Sequence, residues 1–202
     1  MKIICVGRNY VAHALELKND LPSEPVIFLK PDTALLKDNS PFYLPSFSND
    51  VHHEVEVVFK IGKEGKNIEE KFAHKYIEEV GLGIDFTARD IQNKLKSSGL
   101  PWELAKGFNG SAVISHFIPS AGLDFHNLTF SLQKNGVEVQ KSNTSLVLFP
   151  IEKIIAFVSA YFTLKKGDLI YTGTPEGVGK VQIGDRLVGF LEGKEMFNFE
   201  VK

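Results

Sequence analysis

Two acidic side chains stand two residues apart, Glu54 and Glu56, in the run Val51-His52-His53-Glu54-Val55-Glu56-Val57-Val58-Phe59-Lys60-Ile61. The β-branched and aromatic content of this run predicts a strand. On a strand, side chains two apart point the same way, so the carboxylates share one face while Val55, Val57 and Phe59 share the other. Carboxylates that close repel, and burying them without a compensating cation is costly. A hard divalent ion such as Mg²⁺ removes that cost and takes oxygen ligands. A surface strand with a solvated acidic face is the plainer reading of the same pattern, and partners elsewhere in the chain must decide.

Several residues could be such partners. Asp85 ends the apolar run Ile77 to Phe86, just before a helix start, a common place for a ligand residue. Lys106 lies in the apolar stretch Leu104-Ala105-Lys106-Gly107-Phe108, either as an active-site cation or as a lysine extending its charge outward. His13 and Glu16 are three apart, neighbours on one helical face. That spacing suits either a His oriented by a carboxylate to activate water or an exposed polar pair. Lys30 closes a strand before Pro31, as an anion ligand or a solvated lysine. Gln92 falls near Arg89 on the following helical turn. The loop Thr172-Gly173-Thr174-Pro175-Glu176-Gly177-Val178-Gly179 offers amides and hydroxyls to an anion without matching a phosphate-loop pattern.

The elements that must position these residues are short. Lys2 to Val6 reads as a strand, broken at Gly7-Arg8-Asn9-Tyr10, with Asn9 as a cap for a helix over Val11 to Leu17. Breakers at 18 to 25 make the following loop irregular, so helix and loop together read as a lid. Val26 to Lys30 is a strand, and Phe42-Tyr43-Leu44 a brief one. Ile68 to Tyr76 has the spacing of a surface helix. Gly81 and Gly83 fit a strand whose backbone another group approaches closely. Thr87-Ala88-Arg89-Asp90 resembles a capping box opening a helix to about Lys96. The second half reads as scaffold. Asn135-Gly136 signals a tight hairpin, Ile151, Ile154, Ile155 and Val158 form the stripe of a helix starting at Pro150, and Leu169 to Tyr171 with two closing strands completes the chain. The sum is mainly β with short helices, an α+β protein.

At 202 residues, one domain spanning 1–202 is the economical expectation. The hydrophobic content of 43% is ordinary for a soluble protein, and a net charge of −2 gives no reason to expect nucleic acid as a partner. Cys5 stands alone, so no intrachain disulfide forms. Arg8 arrives too early for a signal-peptide core, and no window reaches the length of a membrane span. A cytoplasmic location is expected.

Taken together, Gly7-Arg8-Asn9-Tyr10 with His13 and Glu16, Glu24-Pro25-Val26 through Phe28, Lys30 and Pro31, His53-Glu54-Val55-Glu56, Asp85 through Asp90 with Gln92, Leu104-Ala105-Lys106, and the Thr172 to Gly179 loop resemble the fumarylacetoacetate hydrolase family. The match is nearest its acylpyruvase and oxaloacetate decarboxylase branch and runs through nearly the whole chain. The resemblance implies a mixed β-sandwich roll, a homodimer, and Mg²⁺ or Mn²⁺ bound by Glu54, Glu56 and Asp85. It implies catalytic roles for His13 and Glu16 on a lid within residues 1–20 and for Lys106. It places substrate contacts at Arg8, Lys30, Gln92, Gly173 and Thr174. The implied activity is cleavage of acylpyruvate-type 2,4-dioxo acids to pyruvate and a carboxylic acid, with decarboxylation of oxaloacetate through the same enolate. A keto–enol tautomerase or 2-oxo-acid isomerase is the alternative, and a non-catalytic ligand-binding relative a more distant one.

Overall fold

The structure, a computed structural model, describes residues 1–12 and 21–202. Its principal sheet is built from β1 (Ile3–Gly7), β2 (Val26–Lys30), β3 (Leu35–Leu36), β5 (Val55–Ile61), β6 (Ile77–Asp85), β8 (Ala112–Ile114), β9 (Ile118–Pro119) and β12 (Leu169–Tyr171), in the order β2-β1-β12-β5-β6-β8-β3, with β9 paired to β6. A second, antiparallel sheet holds β10 (Thr129–Lys134), β11 (Val137–Asn143), β14 (Arg186–Leu191) and β15 (Lys194–Glu200). A small third one joins β4 (Val51–His53), β7 (Thr87–Ala88) and β13 (Gly179–Lys180). The mainly β, α+β architecture expected from the sequence is therefore present. Among the described residues no helix is long and apolar enough to cross a membrane.

The core lies between the first two sheets. Val55, Val57 and Phe59 from β5 meet Phe130 and Leu132 from β10 and Leu187, Phe197 and Phe199 from β14 and β15. The helix Ile151–Tyr161 closes one side, with Ile151, Ile154, Ile155 and Val158 all buried as their spacing predicts. Asn135 and Gly136 both take positive φ, the two-residue hairpin turn between β10 and β11. A Cβ added at Gly83 would lie 2.6 Å from the Tyr171 ring, whose hydroxyl donates to the Val113 carbonyl at 2.7 Å. The glycine is thus there for close approach.

Several expectations are corrected. The 51–61 run is not one strand: it breaks at Glu54 into β4 and β5, although the Glu54 carbonyl still accepts from the Asp85 N–H at 2.9 Å. Asn9 has a further task at the end of β1. Buried, it donates to the Phe149 and Thr172 carbonyls and accepts from the Phe149 N–H, fastening the end of β1 to two distant segments. Thr87 is not a capping residue, because the helix runs Arg89–Ser97 with no side-chain cap, and the Thr87 hydroxyl is needed elsewhere. Finally, the helical spacing before Tyr76 yields a 3₁₀ helix over Glu70–Tyr76, and Phe42 forms only a single bridge, to Val201.

Candidate active site

β5 and β6 run antiparallel, with Glu56 opposite Gly83 and Val55 opposite Ile84, so the start of β5 lies beside the end of β6. This register brings Glu54, Glu56 and Asp85 together, one oxygen from each lying within 4.8 Å of the others. All three are buried, at 5%, 2% and 1% exposure, which rules out the solvated acidic face. At an effective dielectric near 20, each ionised pair at that range costs roughly 3–4 kcal/mol. Such a group persists only if cations surround it.

Three cations do. Lys106 Nζ lies 2.8 Å from Glu54 Oε2 and 2.7 Å from Asp85 Oδ2, and donates to Thr87 Oγ1 at 2.6 Å. Arg89 Nη2 meets Glu54 Oε1 at 2.5 Å, and Nη1 donates to Gln92 Oε1 at 2.6 Å. Lys30 Nζ stands 2.6 Å from Asp85 Oδ1, an ion pair between fully buried groups. Burial alone would lower the Lys106 pKa, but the Asp85 and Glu54 carboxylates more than reverse this and hold the ammonium well above the ordinary lysine range. Among the described residues' ion pairs none reaches Glu56, the least compensated acid. Burial, then the Asp85 and Glu54 charges, push its carboxyl well up, against a short bond from the Gly173 N–H at 2.6 Å.

Gly173 can make that bond only as glycine. Its φ is +97°, and an added Cβ would lie 2.8 Å from the Asn9 Cβ and 3.1 Å from the Val6 carbonyl oxygen. Asn9, buried at the end of β1, therefore sets the position of an amide that anchors Glu56. The Thr172–Gly179 loop does hold an anion, but it is the protein's own carboxylate. Thr172 Oγ1 donates to the Val57 carbonyl at 2.8 Å, and Thr174 Oγ1 accepts from Gln140 Nε2 at 2.9 Å.

A cavity opens on this cluster, its described wall including Arg8, Glu54, Glu56, Asp85, Arg89, Gln92, Lys96, Trp102, Lys106 and Thr174. Gln92 spends its carbonyl on Arg89 and Thr174 its lone pair on Gln140, so each has a hydrogen left to donate. Arg89 Nε is buried with no hydrogen-bond partner among the described residues. Lys30 and Gly173 are not on the wall. Lys30 is buried behind Asp85, where its ammonium donates to Ser111 O and Oγ and to the Lys106 carbonyl. The geometry gives it the task of holding Asp85 and the Lys106 backbone in place of the expected substrate contact, and gives Gly173 that of orienting Glu56. His13 and Glu16 lie outside the described residues.

Arg89 and Thr87 were not singled out as site residues by sequence, although both fall inside the motif that supplied Asp85 and Gln92. Their signal was masked because Thr-x-x-Asp also reads as a helix cap. The all-oxygen set of three buried carboxylates, one of them poorly compensated, fits a hard divalent cation. Glu54, Glu56 and Asp85 would hold it.

A sequence model described as "Fumarylacetoacetate (FAA) hydrolase C-terminal" matches residues 2–199. The chain is 43% identical over 201 residues to the mouse protein named "Oxaloacetate tautomerase FAHD1, mitochondrial", covering 99% of this chain and 91% of that one. It is 44% identical over 185 residues to the Dictyostelium discoideum "Oxaloacetate decarboxylase, mitochondrial", covering 91% and 85%. Among solved structures, the fumarylpyruvate hydrolase from Pseudomonas aeruginosa in complex with Mn²⁺ and pyruvate superposes with a TM-score of 0.94 at 34% identity, covering all of this chain and 89% of that one.

Proposed function

Because the chain belongs to the fumarylacetoacetate hydrolase family, we propose that it is a divalent-metal-dependent enzyme of 2-oxo acids that interconverts the keto and enol forms of oxaloacetate. The observation that carries this reading is the buried Glu54–Glu56–Asp85 triad facing a cavity whose remaining polar groups, among the described residues, are donors or cations. The names of the relatives at 43–44% identity support oxaloacetate as substrate, and the Mn²⁺–pyruvate complex of the hydrolase supports the metal and the 2-oxo acid.

A bound Mg²⁺ or Mn²⁺ would supply electrophilic stabilisation of negative charge developing on the keto oxygen. The chain's own residues do the rest. Lys106 shares its three protons among Glu54, Asp85 and Thr87, so it acts as a fixed positive charge and not as a base. The amide of Gln92 and the hydroxyl of Thr174, both on the cavity wall, would donate to substrate oxygens and fix their orientation. Proton transfer at C3 falls to His13, oriented by Glu16, the assignment implied by the family resemblance.

A second reading keeps the same enolate but breaks the C3–C4 bond, by loss of CO₂ from oxaloacetate or by hydrolysis of acylpyruvates to pyruvate and a carboxylic acid. The decarboxylase name of one relative and the hydrolase title of the structural neighbour favour it. Hydrolysis requires His13 and Glu16 to activate water, whereas tautomerisation needs only a proton relay. A homodimer belongs to the proposal and is tested by sedimentation.

The deciding experiment follows the enol absorbance of oxaloacetate beside pyruvate release, on protein loaded with Mg²⁺ or Mn²⁺ and on protein in EDTA. Metal-dependent acceleration of enol decay, faster than pyruvate release, supports the tautomerase. Pyruvate release that keeps pace with enol decay supports cleavage. Activity untouched by EDTA removes the metal from either scheme.

A further inference from the structure

Gln140, a polar side chain on a strand of the second sheet, is 2% exposed, while its neighbours in β11 are exposed or half-buried. It belongs to none of the motifs that supply the cavity. β10 and β11 slip register beside it: Leu132 faces Gln140 and Gln133 faces Glu138, so Val139 is the extra, bulged residue. A bulge bends its strand and re-aims the adjoining side chain. Here it aims Gln140 at the Thr172–Gly179 loop, whose backbone meets the bulge at Gly177, where an added Cβ would collide with the Val139 carbonyl oxygen.

Backbone groups fix which way round the Gln140 amide lies. Its oxygen accepts from the Val55 N–H at 3.1 Å, and a backbone N–H can only donate. Its nitrogen donates to the Pro175 carbonyl at 3.1 Å, which can only accept. The second hydrogen of that nitrogen therefore goes to Thr174 Oγ1, 2.9 Å away. A hydroxyl has one hydrogen, and one that accepts along this direction must turn its hydrogen elsewhere. Thr172, two residues earlier, does the opposite and donates to the Val57 carbonyl. Of the two threonines it is Thr174 that lines the cavity. Anchoring the loop needs the Pro175 bond alone, whereas the bond to Thr174 gives a direction to a hydroxyl on the cavity wall.

Resting on the 2-oxo-acid reading above, we propose that Gln140 is a positioning residue, which holds the Thr174 hydroxyl as an acceptor and thereby directs its hydrogen into the cavity, toward a substrate oxygen. The sequence of donors runs from Val55 and His53 to Gln140, from Gln140 to Thr174, and from Thr174 to the substrate. His53 belongs to it because its Nδ1 lies 3.0 Å from the same amide oxygen.

The test is a double-mutant cycle on the Mn²⁺-loaded protein, read as kcat/KM for enol decay of oxaloacetate. Thr174→Val removes the hydroxyl at nearly constant shape and is expected to lower kcat/KM about tenfold or more. Gln140→Glu keeps the acceptor for Val55 but offers Thr174 a second acceptor, which captures its hydrogen, so a similar loss is expected. In the Thr174→Val background the Gln140 substitution should cost no more than about twofold further, because the group it acts through is gone. Gln140→Met, which removes the amide without adding charge, should leave Mn²⁺ affinity within about threefold by calorimetry, whereas a disturbed triad would lose more. A measurement on the wild type needs neither variant to fold: ¹⁵N NMR of the Mg²⁺-loaded protein, with His53 assigned by its loss in His53→Asn, should show Nδ1 protonated. Losses that add in the double variant, wild-type kinetics in folded Gln140→Glu, a fall in Mn²⁺ affinity in Gln140→Met that matches its loss of activity, or a bare Nδ1 overturns the positioning role and leaves the 2-oxo-acid reading standing. A wild-type protein that does not accelerate enol decay overturns that reading, and the role of Gln140 toward substrate falls with it.

Discussion

The ammonium of Lys106 bridges Glu54 and Asp85, 2.8 Å from one carboxylate and 2.7 Å from the other, although the two acids are 31 positions apart in the chain. One buried cation thereby offsets two of the three acids of the triad. Replacing it with an apolar side chain of similar length leaves Glu54 to Arg89 and Asp85 to Lys30, each acid short of one buried partner, which is destabilising. Lys106→Met should therefore unfold at lower temperature than wild type in EDTA. Mn²⁺ should restore part of the difference, because a divalent ion supplies the missing charge. Thermal melts with and without metal check this, and a variant as stable as wild type in EDTA would remove Lys106 from the electrostatic frame.

Glu56 makes the opposite prediction. Its carboxyl is pushed up by burial and by its acidic neighbours, so its charge is a cost in the metal-free protein. Glu56→Gln keeps an acceptor for the Gly173 N–H and removes one charge. The metal-free variant should melt above wild type, while its Mn²⁺ affinity falls by about a hundredfold or more. Metal titration by calorimetry beside melting curves separates the two effects. Retention of wild-type Mn²⁺ affinity would exclude Glu56 as a ligand.

How much of this was legible beforehand depends on the distance over which each feature is encoded. The hairpin at Asn135-Gly136 and the stripe of Ile151, Ile154, Ile155 and Val158 are local patterns, and they appear where the residues dictate. The acidic triad was legible as types and spacing, but its closure depends on the pairing of β5 with β6, which no single segment specifies. Lys30 and Thr87 were misread for a related reason. A strand-end lysine and a Thr-x-x-Asp both have adequate local explanations, and only the tertiary arrangement turns Lys30 inward to Asp85 and hands the Thr87 hydroxyl to Lys106. The bonds of Asn9 to Phe149 and Thr172 had no local sign either, because those partners are more than a hundred residues away.

Gly173 offers a test of that long-range wiring. Gly173→Ala forces a Cβ against Asn9 and the Val6 carbonyl at a φ of +97°, so both sterics and backbone oppose it. The expected loss is about 2–4 kcal/mol of stability. The displaced amide should also release Glu56, so that Mn²⁺ affinity changes even in the variant that remains folded. Denaturant titration and calorimetry measure the two quantities. Unaltered stability would contradict the close packing of the loop on β1.

His53 sets a pH dependence. Gln140 Oε1 accepts from the Val55 N–H at 3.1 Å and lies 3.0 Å from His53 Nδ1, while the Gln140 amide nitrogen donates to Thr174 Oγ1 and Pro175 O. These partners assign the hydrogen to Nδ1 and make the ring a neutral donor. Burial, the largest influence, lowers its pKa to about 4, the Gln140 bond opposing it. In the unfolded chain His53 takes up a proton near pH 6.5, and in the native state only near 4. Between those values the unfolded state binds more protons, so this residue's contribution is intact above about pH 6.5 and is lost as pH falls, by up to about 3 kcal/mol. His53→Asn keeps a donor near the Nδ1 position and cannot titrate. Glu56 has the reverse sign, gaining stability as it protonates, but it is present in both proteins and cancels in the difference. Unfolding free energies in EDTA from pH 7 to 4 should therefore fall more steeply for wild type than for His53→Asn. Parallel curves would show that the imidazole is not buried neutral.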